Sequence, residues 1–175
     1  MVVLPLISAV LVGWPFGFAS TPFDPLWAHN HPRKAAWMAA AGPAANLLLV
    51  LLSALAIKLC ILAGVFVEPV SVTFRQIVDP ASAGALSGLA IFLSMMFTLN
   101  LIMFVLNLIP LPPLDGSGVI ALFMTENTAR AYRKVIANPM FGFLGLFLVW
   151  QVISPIIEAV FPWVMNVLYP GAGFS

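Results

Sequence analysis

Three apolar runs, Ala44 to Val67, Gly84 to Leu106 and Met140 to Phe161, constrain this chain more than any other feature of its sequence. Each is long enough to cross a bilayer as a helix, which takes roughly 20 mostly apolar residues. The first is interrupted by Asn46, Ser53 and Lys58, the second holds no charge, and the third carries Gln151 and Glu158 near its far end. A segment inside lipid must satisfy its backbone polar groups internally, so these runs read as transmembrane helices of an all-α, polytopic membrane bundle. Composition agrees. Only 7% of residues are charged and 62% are hydrophobic, against roughly 25% charged in soluble domains. The formal net charge is +1, and no basic stripe exists to neutralise phosphates, which closes the option of a nucleic-acid partner.

The segments around these runs set the organisation. Val2 to Gly13 is apolar but short for a crossing, and no Lys or Arg precedes it, so it lacks the basic start of a signal peptide and reads as part of a longer element. Trp14 to Pro32 is broken by Pro15, Pro22, Pro25 and Pro32 and is expected to be an interfacial loop or extended ribbon. Glu68 to Ala83 is net negative, whereas Glu126 to Pro139, with Arg130, Arg133 and Lys134, is net positive. Two crossings return the chain to its starting side, so Arg33 and Lys34 should share a side with Arg130 to Lys134. The excess of positive residues makes that side cytoplasmic. With no internal repeat, residues 1–175 are read as a single membrane domain: an apolar segment and interfacial loop over 1–34, a core over 35–125, and a basic loop with the last span over 126–175. Cys60, the one cysteine, is expected to be a small buried hydrophobe.

The chemistry is concentrated in Asn107-Leu108-Ile109-Pro110-Leu111-Pro112-Pro113-Leu114-Asp115-Gly116-Ser117-Gly118. Three prolines stop the second span, and an apolar run resumes at Val119. A backbone break at membrane depth is tolerated only where it is buried in protein or lines a wet cavity, and this one delivers a carboxylate. Asp115 has two readings. It can cap the free N–H groups of Ser117 or Gly118, or it can be an ionisable residue kept among apolar sequence for a function. The neighbouring glycines allow close approach of a helix or an ion.

Leu111-Pro112-Pro113-Leu114-Asp115-Gly116 resembles the Asn-Pro-x-x-Asp-Gly motif of the site-2 protease family of intramembrane zinc metallopeptidases, with Leu111 in place of the leading asparagine. His31 to Asn46, containing Gly42-Pro43-Ala44-Ala45-Asn46, is similar to the Gly-Pro-x-x-Asn block of small bacterial members, and Trp14 to Ala19 resembles the family's Phe-Pro-x-Gly-Trp-Ala loop. The resemblance spans roughly residues 1 to 125. It implies that Asp115 is a ligand of a catalytic zinc, and that Asn107, associated with substrate handling, and Asn46 lie at the active site. The implied reaction is hydrolysis of peptide bonds in transmembrane protein substrates. The implied setting is a bacterial plasma membrane.

The family's remaining ligands come from His-Glu-x-x-His, in which two histidines share one helical face and the glutamate acts as general base. That motif is absent here, so the other ligands are expected upstream of Met1, either because the start lies too late or because the chain is a fragment. His29 and His31 at i, i+2 would share a face on a strand and bind metal weakly; two interfacial histidines are the plainer reading. A non-catalytic homologue that binds membrane partners, and a small transporter or assembly subunit using Asp115 and Glu158, remain alternatives. Gln151 and Glu158 share a face and are expected to pair with a helix or snorkel, as is Lys58.

Overall fold

Pro32 opens a helix that carries most of the fold. Its missing N–H costs nothing at the first helical position, where that donor has no intrahelical partner. In the computed structural model, which describes residues 24–82 and 84–173, the chain divides into two compact units, residues 1–30 and 31–175.

Of the first unit, the described part is a short helix, α1 (Pro25–Asn30). Asp24 caps it by accepting the Leu26 N–H at 2.9 Å. The segment expected to be a loop up to Pro32 is therefore helical from Pro25, because an Asp-Pro start suits a first turn. Val2 to Gly13 and the ribbon from Trp14 lie outside the described residues, apart from Asp24 at the ribbon's end.

The second unit begins with α2 (Pro32–Leu62), followed by β1 (Phe66–Val67), β2 (Asp79–Pro80) and α3 (Ala85–Leu108). After the Pro-rich break come α4 (Asp115–Val119), a 3-10 turn over Ile120–Phe123, α5 (Glu126–Ile136) and α6 (Pro139–Leu168). Helices α2, α3 and α6 are long and apolar enough to cross a membrane, as the three runs lead one to expect. Their boundaries differ. α2 starts at Pro32 rather than Ala44 and runs through Pro43. Pro43 forfeits one ladder bond, and the long run of helix-forming residues around it carries the helix past that loss. It ends at Leu62 because Gly64, at φ +71°, allows a left-handed cap in which Val65 N–H donates to the Cys60 carbonyl and Gly64 N–H to that of Ile61, both at 2.9 Å. α6 continues past Phe161 to Leu168 through Pro155 and Pro162. The basic stretch expected as a loop contains α5, capped by Thr125, whose side chain accepts from the Thr128 N–H.

Packing follows a seam. On α2, Ala36, Pro43, Val50 and Ile57 recur every seven residues and are buried, the spacing of a helix that lies along a neighbour. Ala90, Ser94, Phe97 and Leu101 on α3 answer at three and four residues, and α2 packs most extensively on α3. Outward-facing Leu48, Leu51, Leu55, Phe92 and Phe147 are exposed, as lipid-facing surface requires. Two polar residues within the spans bond their own helix: Ser53 Oγ donates to the Leu49 carbonyl and Asn100 Nδ2 to that of Met96, both at 2.7 Å. Gln151 and Glu158 are exposed.

The core lies at the hairpin end. Phe66, Ile77, Val78, Phe97, Met165 and Tyr169 are almost wholly buried together, with Cys60 packed against them as a small hydrophobe. β1 and β2 pair antiparallel, Phe66 opposite Pro80 and Val67 opposite Asp79. Ile77 N–H donates to Ser94 Oγ at 3.0 Å, and Tyr169 Oη donates to the Ile77 carbonyl at 2.8 Å. Lys58 does not simply snorkel: its ammonium sits 4.7 Å from the centre of the Tyr169 ring.

Candidate active site at the Asp115 break

The break is built by residues that cannot continue a helix. Pro110, Pro112 and Pro113 offer no N–H, Ile109 is extended at ψ 125°, and the Pro112-Pro113 peptide is cis. Leu111 N–H donates to the Ile109 carbonyl and Leu114 N–H to the Leu111 carbonyl, at 2.8 and 2.9 Å, so the chain folds back tightly before α4. Gly116 packs directly against the end of α3. A Cβ there would lie 2.7 Å from both the Leu108 oxygen and the Ile109 carbonyl carbon, too close for any side chain.

Asp115 occupies the first position of α4, and the N-cap residue is Leu114, with no side-chain cap. The expectation that Asp115 caps Ser117 or Gly118 is therefore not met. Ser117 instead turns its hydroxyl back to the Leu114 carbonyl at 2.8 Å. Among the described residues the Asp115 carboxylate has neither a hydrogen bond nor an ion pair. It is partly buried, and the loss of water pushes its carboxyl above the ordinary carboxylate range.

The carboxylate rests on α2. A Cβ built on Gly42 would collide with Asp115 Oδ2 and come within 3.2 Å of its Cγ, so the glycine of Gly-Pro-x-x-Asn is the surface against which the acid lies. Gly118 likewise faces Ala39, whose Cβ would stand 2.7 Å from an added one. The third span closes on the same break: a Cβ on Gly145 of α6 would strike the Pro112 carbonyl, with its carbon at 2.8 Å. Sequence reasoning missed Gly145; a glycine inside an apolar span was the available signal.

Asn46 is one helical turn beyond Gly42 on the same face of α2. Asn107 stands in the last turn of α3, just before the break. Both are partly exposed, and neither amide has a hydrogen bond among the described residues. His29 and His31 are not on a strand: His29 lies within α1 and His31 is the residue before α2. The strand that the weak metal-binding reading required is therefore not formed. Among the described residues no three His, Cys, Asp or Glu side chains converge as a metal site. An unpaired carboxylate suits one ligand, but a catalytic zinc takes three protein ligands, so the described residues do not complete the site.

The profile described as Peptidase family M50 matches residues 9–150. No curated protein and no solved structure matches the chain.

Proposed function

The chain belongs to peptidase family M50, and we propose that it supplies the aspartate ligand and the substrate-facing helices of an intramembrane zinc metalloprotease of the site-2 type. With three helices able to span a bilayer, it is an integral membrane protein. One observation carries the reading: the two motifs that resemble the family's, far apart in sequence, meet as the Gly42 backbone against the Asp115 carboxylate. A structural cap would not need a bare backbone opposite it, and a charge with no partner is costly unless a ligand completes it.

In this reading the two histidine ligands and the general base come from residues other than these 175. What this chain contributes is placement. A transmembrane peptide must unwind before hydrolysis, and its freed backbone groups then need partners in a medium that offers none. The uncommitted amides of Asn46 and Asn107 can donate to and accept from such a strand. Substrates are transmembrane proteins, and the membrane is a bacterial plasma membrane with the Arg33/Lys34 and Arg130 to Lys134 segments on the cytoplasmic side.

The test is cleavage of a transmembrane reporter in membranes by the full gene product. Asp115→Asn and Asp115→Ala should both abolish cleavage while the protein still accumulates; cleavage that survives both changes rejects the proposal. A second reading is a non-catalytic homologue that binds membrane partners through the same Asp115 break, whose described residues do not by themselves form a three-ligand cluster. It predicts no reporter cleavage and no stoichiometric metal in the native product.

A further inference from the structure

Helix α5 places a guanidinium where a helix at a water surface would place an apolar side chain. Ala129, Tyr132, Arg133 and Ile136 form its inward face, and Ala129 is fully buried with Ala36 of α2 and Ala121. Arg133 makes one long hydrogen bond, from Nη2 to the Pro32 carbonyl at 3.4 Å. Its Nε is buried without a partner, as is that of Arg130. Arg130 pairs with Glu126 at 3.6 Å, which leaves Arg133 without a counter-ion among the described residues. Desolvation pushes the Arg133 guanidinium below its ordinary range. A half-buried cation is destabilising until an anion completes it.

The chain supplies more positive charge here, not less. The bond to Pro32 joins α5 to the first turn of α2, so Arg33, Lys34, Arg130, Arg133 and Lys134 gather at one end of the bundle, against seven Lys and Arg residues in the whole chain. The surroundings are apolar and open. Phe123 just before α5 is 88% exposed, Val135 on it 52%, and Met140 just after it 65%. A basic helix flanked by such residues lies in the headgroup layer of a membrane, where the available anion is a lipid phosphate.

We propose that Arg133 and Arg130, with Arg33 and Lys34 beside them, bind the phosphate of an anionic phospholipid and so tie α5 and the start of α2 to one leaflet. The Arg133 guanidinium, partly buried and without a counter-ion among the described residues, donates the charge-assisted bonds, Arg130 adds charge from beside it, and Phe123 and Met140 lie along the acyl chains.

The experiment is native mass spectrometry of the full chain released from detergent, titrated with phosphatidylglycerol, with phosphatidylcholine, and with inorganic phosphate at matched ionic strength. Phosphatidylglycerol should be retained about tenfold more tightly than phosphatidylcholine, whose choline cation offsets the charge of its phosphate, the ratio expected when one or two basic side chains meet a net anionic headgroup, and inorganic phosphate should leave no adduct. Arg133→Gln should remove the preference, whereas Arg75→Gln, in the loop between α2 and α3, should leave it intact. If Arg133→Gln does not fold, the exposed pair Arg33→Gln/Lys34→Gln should still weaken the preference about threefold. Equal retention of the two lipids, a preference that survives removal of the arginine, a preference that removal of the exposed pair leaves at full strength, or an equally stable phosphate adduct would overturn the proposal.

Discussion

The hairpin end and the Asp115 end of this bundle are packed by opposite means. At the hairpin, large side chains fill the space and polar groups close on one another: Phe66, Phe97 and Tyr169 are buried, and the Tyr169 hydroxyl and Ser94 both engage Ile77. At the Asp115 break, backbone meets backbone through Gly116 and Gly145, alanines make up the small buried cluster, and Asp115, Asn46 and Asn107 have no hydrogen-bond or ion-pair partner among the described residues. Bulk and satisfied hydrogen bonds hold one end together; at the other, small residues bring backbones into contact and polar groups are left available. In the proposed function, stability belongs to the first end and chemistry to the second.

That division can be broken at either end. Phe97→Ala should cost about 3–5 kcal/mol, the usual loss for a buried aromatic, in equilibrium unfolding in detergent, yet leave hydrolysis per folded molecule unchanged; a chemical defect at normal stability would undo the division. Gly42→Ala should do the reverse. Its new methyl meets the Asp115 carboxylate rather than backbone, so under the proposed function cleavage of the reporter should fall about 10²-fold, as for a small misplacement of a reacting group. Stability should hold or rise, because alanine favours helix. Unchanged cleavage rates would show that the contact does not matter.

Gly145→Ala tests whether small residues at the break are also structural. Its methyl strikes the Pro112 backbone, which cannot swing aside, so thermal stability should drop by about 1–3 kcal/mol, as for overpacking; no loss would mean that α6 stands off from the break. The smallest effect belongs to Tyr169. Burial, and secondarily the charges of Glu68 and Asp79, push its phenol up. A folded value above the unfolded one means stability that is intact below about pH 10 and declines as pH rises further, because the folded state holds the proton more tightly. Tyr169→Phe should cost about 1 kcal/mol and flatten that alkaline decline in a melting series; an identical decline in both proteins would refute the assignment.

Much of this was legible in advance, for reasons that differ by residue. The three spans follow from hydropathy, because lipid imposes a single rule on every residue of a span. The start of α2 does not, because a proline at position 43 reads as a stop and the long apolar stretch that carries the helix past it acts at a distance. α5 was hidden by its charges: on a loop or on an interfacial helix, arginines look alike until Arg133 is seen reaching Pro32. At Asp115 the local pattern supported a cap and the motif supported a ligand. What the structure adds is that Asp115 does not cap its helix and lies against Gly42, a contact between segments that no local pattern contains.

Zinc content gives the most direct test of the central claim. In the purified full gene product, measured by elemental analysis beside its Asp115→Ala variant at equal folded protein, the account predicts close to one zinc per chain in the first and a severalfold lower content in the second. Equal zinc in both, or none in either, would contradict it.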